Sequence, residues 1–202
     1  MPSSPPTSAT IAQRRSQLAD LLAARSARRG TFTLASGRTS DLYIDARLTT
    51  MSPDGLALIG PLALELLADS RWTVDAVGGL TLGADPIAYA VAYASTMARG
   101  PGEWVRAFTV RKQAKAHGTG QRIEGPFRPG DRVAVVEDVI TTGGSALHAV
   151  DAVRAAGGTI VGVLAVVDRE EGGREAIETT AAVPVVSLVR ARDVVSRLAS
   201  AS

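Results

Sequence analysis

The stretch VAVVEDVITTGGSALHAV, residues 133–150, has the pattern of a buried strand that turns directly into a helix. Four apolar residues precede the acidic pair Glu137 and Asp138, and the hydroxyl and glycine residues of 141–145 precede a helical pattern. A glycine turn alone would equally suit tight packing. Two adjacent carboxylates at the end of a buried strand, however, are costly to desolvate without a partner. The stretch therefore indicates a turn that binds a ligand.

Outward from this stretch, strand and helix patterns alternate along the chain. Apolar runs predict strands at 74–79, 104–111, 132–139, 159–168 and 184–189. Helical spacing and capping signals predict helices at 9–29, 52–68, 84–98, 144–156 and 173–181, with Gly30 ending the first and Ser52 capping the second. Residues 32–47 predict a short hairpin or loop-strand segment. The alternation predicts an α/β fold in which helices flank a mainly parallel twisted sheet.

The composition is that of a globular protein. The 202 residues are 46% hydrophobic and 21% charged, and we expect one domain over 9–202 after a disordered tail at 1–8. The net charge of +2 is too small to indicate nucleic-acid binding. The chain has no cysteine and no apolar run of the roughly 18 residues that cross a bilayer. We therefore expect a cytoplasmic protein without disulfides, thiolate metal sites or membrane contact.

The segment 141–145 has the residue types of a phosphate-binding loop. Glycines let the backbone approach a ligand, and the N–H groups at a helix start form an anion site. Hydroxyl groups add donors to phosphate oxygens. The loop is neither a G-x-x-x-x-G-K-[ST] nor a G-x-G-x-x-G sequence. The candidate phosphate-binding residues are Thr141, Thr142, Gly143, Gly144 and Ser145.

An acidic pair followed by this Thr/Gly loop resembles the phosphoribosyl pyrophosphate (PRPP) motif of the type I phosphoribosyltransferases. The resemblance implies the fold of that family, with a small N-terminal hood beside the sheet. It also implies that Glu137 and Asp138 lie by the ribose hydroxyls and that residues 141–145 hold the 5-phosphate. GGLTLGADPIAYAVA, residues 78–92, is similar to the family's pyrophosphate-side loop and following helix.

The chemistry of that family accounts for these residue types. Displacing pyrophosphate from the ribose develops positive charge on the sugar, which a carboxylate such as Asp138 stabilises. Cations must stabilise the negative charge on the leaving group. Because the chain offers no cysteine or paired-histidine cage, we expect Mg²⁺ to arrive chelated by PRPP rather than held directly by protein side chains.

A second stretch, RKQAKAHGTG at 111–120, contains the only two lysines of the chain and one of its two histidines. It lacks apolar periodicity, so it predicts a long exposed loop. A solvated basic loop is the simpler interpretation. The pattern R-K-x-x-K-x-H-G, however, closely resembles the catalytic loop of the orotate phosphoribosyltransferase family. That resemblance implies that Lys115 and His117 are catalytic, that they contact pyrophosphate together with Arg111 and Lys112, and that the loop is shared between subunits of a homodimer.

Two further residues bear on the substrate. Arg169 follows the apolar run 159–168, where the orotate family has an arginine that pairs with the orotate carboxylate. The resemblance also implies that Thr141 hydrogen-bonds the pyrimidine ring. An ion pair with Glu170 or Glu171 is the alternative for Arg169.

The chain also departs from the family pattern. Some members have lysines where this chain has Ala35 and Leu82, so those contacts would come from backbone groups, Arg38 or Tyr43. His148, on the apolar helix after the phosphate loop, is expected to be structural.

The resemblance implies conversion of orotate and PRPP to orotidine 5′-monophosphate and pyrophosphate in pyrimidine biosynthesis. A purine-type phosphoribosyltransferase is one alternative, but a neutral purine offers no carboxylate for Arg169. A non-catalytic PRPP-sensing regulator is another, and the intact acidic pair and loop cations argue against it.

Overall fold

The computed structural model describes residues 10–33, 39–113 and 122–198. The predicted tail at 1–8 lies outside the described residues. The same holds for four residues singled out from the sequence: Ala35, Arg38, Lys115 and His117.

The strands form two sheets. The first is an antiparallel hairpin of β1 (Ala27–Thr33) and β2 (Thr39–Ile44). The segment predicted for 32–47 contains β2, but β1 begins five residues before it. The central sheet contains β3 (Ala76–Leu80), β4 (Arg106–Val110), β5 (Ile123–Glu124), β6 (Arg132–Ile140), β7 (Thr159–Asp168) and β8 (Val185–Arg190). Its order is β5-β4-β3-β6-β7-β8, and only the pairing of β5 is antiparallel.

Seven α-helices lie in the described ranges. They are α1 (Ile11–Leu21), α2 (Arg47–Thr50), α3 (Pro53–Asp69), α4 (Ala84–Ala98), α5 (Gly144–Ala155), α6 (Gly173–Ala181) and α7 (Ala191–Leu198). The predicted start of α3 is confirmed, because the Ser52 hydroxyl accepts the Gly55 N–H at 3.2 Å, with Pro53 in the first turn. The mainly parallel sheet flanked by helices confirms the predicted fold class.

The prediction of one helix over 9–29 is wrong. Helix α1 continues through a π-helical turn, Leu22–Ser26, and the chain then becomes β1. Ser26 explains the change, because its hydroxyl bonds the Thr49 hydroxyl at 2.8 Å and its carbonyl accepts the Asp45 N–H at 2.9 Å. These distant partners outweigh the local helical pattern. Gly30 consequently lies inside β1 rather than at a helix end.

Both faces of the sheet are covered by helices. Adjacent residues of one strand enter opposite apolar clusters: Val136 packs on the side of α1, α3 and α4, whereas Val135 packs on the side of α5 and α6. Side chains alternate along a strand, so a strand buried on both faces is apolar at nearly every position. Among the described helices, none is both long and apolar enough to cross a bilayer.

The close approach of β3 to its neighbours generates a stability prediction. A methyl group on Gly78 would overlap the carbonyl oxygen of Phe108 in β4 and lie 2.6 Å from its ring. We expect Gly78→Ala to lower the free energy of unfolding by about 2 kcal/mol, because overpacking forces backbone shifts. Urea unfolding measures the loss. Gly100→Ala is the matched control, since a methyl group there has no neighbouring atom within 4 Å. Equal stabilities of the two variants would contradict the packing argument.

Candidate active site

A cavity of about 540 Å³ opens where β2, β3 and β6 end. We call it the strand-end cavity. Its lining consists of Tyr43, Ile44, Asp45, Ala46, Arg47, Leu80, Thr81, Leu82, Gly83, Lys112, Glu137, Asp138, Val139 and Ser145. Four of the site residues predicted from sequence are thus brought together: Lys112, Glu137, Asp138 and Ser145. Parallel strands direct their carboxyl ends to one edge, which is where ligands bind in such sheets.

The acidic pair lies at the base of this cavity in two different environments. Glu137 is buried, whereas Asp138 is half-buried and its Oδ1 accepts the Val139 N–H at 2.8 Å. Burial raises the pKa of Glu137 well above its usual range, and the neighbouring Asp138 charge adds to the shift. The Oε2 atom of Glu137 is buried without a hydrogen-bond partner in the described structure. The pair therefore combines a carboxyl group that resists ionisation with a more accessible carboxylate.

The loop after β3 comes very close to Asp138. A methyl group on Gly83 would lie 2.7 Å from the Asp138 carboxyl carbon, so only glycine leaves room for this carboxylate. Asp85 fixes the loop, because its carboxylate accepts the Thr81 hydroxyl at 2.7 Å and the Thr109 hydroxyl at 2.8 Å. The loop is thereby tied to β4 and held against the acidic pair.

The predicted phosphate loop forms the start of α5. Gly143 has φ +83°, a left-handed conformation that favours glycine, and a methyl group there would lie 2.8 Å from the Gly173 carbonyl oxygen. Helix α5 begins at Gly144 without a side-chain cap, so its first N–H groups have no capping acceptor. Thr142 and Ser145 are exposed beside these amides. The loop has the geometry of an anion site.

Arg169 follows β7 and does not line the strand-end cavity. Its main-chain N–H donates to the Ile140 carbonyl at 2.9 Å, which joins the end of β7 to the end of β6. Its Nη2 donates to the hydroxyl of Ser40 and the carbonyl of Leu42, both at 3.1 Å, and to Glu171 at 2.6 Å. The ion pair with Glu171, which the sequence offered as an alternative for Arg169, is therefore present. The Arg169 side chain is nevertheless only 4% exposed, and its buried Nε has no hydrogen-bond partner in the described structure.

The cationic stretch after β4 is described only through residue 113. Arg111 pairs with Glu124, with Nε and Oε1 3.0 Å apart, and its N–H donates to the Arg122 carbonyl at 2.8 Å. Lys112 is exposed on the rim of the strand-end cavity. The predicted roles of Lys115 and His117 fall outside the described residues and stay predictions.

Sequence reasoning missed two charged residues in the cavity wall. Asp45 and Arg47 form a two-pronged ion pair, with Nε–Oδ1 and Nη2–Oδ2 distances of 2.8 and 3.0 Å. This pairing lowers the pKa of Asp45 and raises the pKa of Arg47, to which the Asp138 charge also contributes. The available signal was an acid and an arginine at the end of the predicted hairpin segment, in the sequence IDAR at 44–47.

The structure also describes Tyr43, one of the suggested replacements for the missing lysines, and Leu82, one of the two positions that lack a lysine. Tyr43 and Leu82 both line the strand-end cavity and are exposed. Arg38 and Ala35 are not described. In the described ranges, no three acidic, histidine or cysteine side chains cluster as metal ligands. Asp45, Glu137 and Asp138 are the carboxylates of the cavity wall.

Comparisons with known proteins agree on one family, although no protein-family model matches the chain. The chain is 50% identical over 179 residues to the orotate phosphoribosyltransferase of Aquifex aeolicus, covering 87% of this chain and 94% of that protein. A Mycobacterium tuberculosis orotate phosphoribosyltransferase solved with Fe(III) dicitrate has a TM-score of 0.76 and 48% identity, covering 90% of this chain and 98% of that one. The same enzyme solved with PRPP has a TM-score of 0.70 and 41% identity, covering 90% of this chain and 91% of that one.

The burial of Glu137 generates a pH prediction. Because its pKa is raised on folding from 4.5, the folded chain retains a proton that the unfolded chain has lost, and the stability contribution of Glu137 falls as pH rises. Glutamine does not titrate. We therefore expect the free energy of unfolding of Glu137→Gln, relative to the unsubstituted chain, to increase between about pH 5 and pH 8. Denaturant unfolding at a series of pH values measures it. A difference that stays constant over this range would contradict the buried, protonated state.

Proposed function

Because the chain belongs to the orotate phosphoribosyltransferase family, we propose that it converts orotate and PRPP to orotidine 5′-monophosphate and pyrophosphate in pyrimidine biosynthesis. One observation carries the proposal: the acidic pair and the first turn of α5 meet at the strand-end cavity. A sugar phosphate needs an anion site for its phosphate and carboxylates for its ribose, and this cavity offers both at adjacent positions.

The 5-phosphate binds to the segment 141–145. The uncapped N–H groups at the start of α5 and the partial positive charge of the helix end attract an anion. Thr142 and Ser145 donate hydroxyl hydrogen bonds from the same exposed turn. The left-handed Gly143 and its contact with α6 hold the loop in this shape before the ligand arrives, which reduces the ordering cost of binding.

The ribose lies over the acidic pair. Asp138 accepts a hydrogen bond from a ribose hydroxyl, and its charge stabilises the positive character that develops on the sugar as pyrophosphate leaves. Burial raises the pKa of Glu137, which favours its protonated form in the free protein. Its unpartnered Oε2 gains a partner when the sugar binds. The two carboxyl groups thus orient the ring from below, while the loop at 80–83 closes the cavity from the side.

The leaving pyrophosphate is bound by the cationic loop. Lys112 already lies on the cavity rim, and Arg111, Lys115 and His117 complete the set. Arg111 must leave Glu124, which is inexpensive because the ion pair is half exposed and such pairs contribute only about 0–1 kcal/mol. PRPP would carry Mg²⁺ as a chelate, and the ion would supply positive charge to the phosphate oxygens. Asp45 and Asp138 of the cavity wall would accept hydrogen bonds from the waters of such a chelate.

Orotate binds on the side of Arg169 and Thr141. The buried Nε of Arg169 lacks an acceptor, and an orotate carboxylate would supply one. Its arrival requires the contact between Arg169 and Glu171 to loosen. A neutral purine could not replace that lost partner, which favours orotate over the purine alternative. The regulator alternative would not need the acidic pair beneath the sugar.

A homodimer is also part of the proposal. An apolar groove of about 840 Å³ lies between α3 and α4, and Tyr93 and Met97 in its wall are 71% and 77% exposed. Exposed apolar patches of this kind mark protein interfaces. Helix α4 begins beside Gly83, so the groove lies next to the strand-end cavity. In the proposed homodimer the two subunits share the catalytic loop. One domain over 9–202 and a cytoplasmic location complete the proposed description.

The reaction is tested by following orotate absorbance with PRPP and Mg²⁺. We expect orotate to be consumed and pyrophosphate to be released in equal amounts. Adenine and hypoxanthine are the control substrates. Consumption of either of them without consumption of orotate would contradict the proposed substrate.

The loop is tested by Lys115→Ala. We expect kcat to fall at least tenfold, about 1.4 kcal/mol of transition-state stabilisation, because the variant loses a cation on the leaving group. Gln113→Ala, a neutral exposed position in the same loop, is the matched control and should keep its kcat. Mixing Lys115→Ala with Asp138→Ala should restore activity in mixed dimers. Unchanged turnover of Lys115→Ala would refute its role, and absence of recovery would refute the shared loop.

The dimer surface is tested by Tyr93→Asp. A charge in the centre of an apolar interface is strongly unfavourable, so we expect sedimentation to show monomers at low-micromolar protein. Trp104→Asp is the control, since Trp104 is also exposed but lies outside the groove. Retention of the dimer by Tyr93→Asp, or loss of the dimer in both variants, would argue against this surface.

A further inference from the structure

A second cavity of about 540 Å³ lies along β8, between that strand, α1 and α7. We call it the β8 cavity. It shares no lining residue with the strand-end cavity. Its charged wall consists of Arg15, Arg174, Arg190, Arg192, Arg197 and Asp193. The wall thus holds five arginines and one carboxylate, in a chain whose net charge is only +2.

The position of β8 adds main-chain donors to this wall. The strand is at the edge of the central sheet, and an edge strand leaves alternate N–H and C=O groups without a strand partner. Val185 shows which residues point to the free edge, because its N–H donates to Glu178 and its carbonyl accepts from Arg174. By the same alternation, the N–H groups of Ser187 and Val189 point to the free edge of β8, away from β7, and both residues line the cavity.

The arginines of the wall differ in their partners. Three are held by acids outside the wall: Arg174 by Asp168, Arg192 by Glu170 and Arg197 by Asp20. The other two have no side-chain partner in the described part of the chain. The Nε of Arg15 is buried and makes no hydrogen bond, and the guanidinium of Arg190 has no ion pair. Burying a guanidinium N–H without an acceptor is unfavourable, and a bound anion would supply one.

We propose that the β8 cavity binds a small phosphate monoester through Arg15, Arg190 and the free-edge N–H groups of β8. A phosphoryl group carries close to two charges and three acceptor oxygens, so it can engage two arginine forks and a main-chain donor together. A single carboxylate would fill one fork and leave the second arginine unpaired. The cavity volume falls within the range of small-molecule sites, so the ester has room for an organic group beside the phosphate.

Equilibrium dialysis with radiolabelled inorganic phosphate, in chloride buffer without sulfate, tests this site. The unsubstituted chain is expected to bind phosphate in two classes of site, the β8 cavity and the 141–145 loop. Arg15→Gln/Arg190→Gln should weaken one class at least tenfold and leave kcat with orotate and PRPP unchanged. Thr142→Ala/Ser145→Ala should weaken the other class. If residues 141–145 bind no phosphate, the unsubstituted chain has a single class of phosphate site, and Arg15→Gln/Arg190→Gln still removes it.

Two further arms complete the experiment. Arg190→Gln alone should also weaken phosphate binding at the β8 cavity. Because Arg190 is exposed, this single variant is a control for a folding defect in the double variant. The thermal midpoint of each variant is measured as well. Succinate should displace labelled phosphate no better than sodium chloride of equal ionic strength. Unaltered phosphate binding in the double variant would overturn the site. Displacement by succinate as effective as by unlabelled phosphate would overturn the choice of a phosphate ester.

Discussion

The parallel pairing of β6 between β3 and β7 is the constraint on which the strand-end cavity depends. Its register places Val135 opposite Gly78 and Ile140 opposite Asp168. The three strands consequently end at one edge, with the acidic pair, the 80–83 loop and Arg169 at neighbouring positions. Shifting β6 by a single residue would turn its side chains to the opposite faces and separate these groups.

Two glycines allow neighbouring elements to come into close contact at the strand-end cavity. Gly83 lets the loop after β3 reach the Asp138 carboxylate, and Gly143 lets the start of α5 approach α6. Neither position has room for a side chain. The Asp85 hydrogen bonds hold the 80–83 loop in place, and α5 begins without a side-chain cap. In the proposed reaction the sugar phosphate would bind groups that the folded chain has already ordered, which favours binding and catalysis.

Local sequence patterns predicted the helices and strands whose ends are marked by nearby residues or that consist of an apolar run. The bounds of α4, β7 and α6 match the prediction, because caps, glycines and apolar runs mark them directly. The helix predicted over 9–29 ends early, since the partners of Ser26 come from residues 45 and 49. Propensity is a weak guide where tertiary contacts compete with it.

The site was predictable to the extent that its residues form contiguous motifs. Glu137, Asp138 and Ser145 belong to one such motif, and the structure places them in one cavity. The Asp45–Arg47 pair and the hydrogen bonds from Arg169 to the hairpin depend on how β2 meets the sheet, which no short pattern records. The hairpin segment predicted for 32–47 located this region without revealing these contacts.

In the proposed reaction the sugar reacts over Asp138, against the 80–83 loop. Gly83→Ala tests this placement, because the added methyl group would lie 2.7 Å from the Asp138 carboxyl carbon while leaving the acidic group itself in the chain. With orotate and PRPP, we predict that kcat falls at least tenfold, about 1.4 kcal/mol, while Gly100→Ala retains it. An unchanged kcat in a folded Gly83→Ala chain would contradict the account.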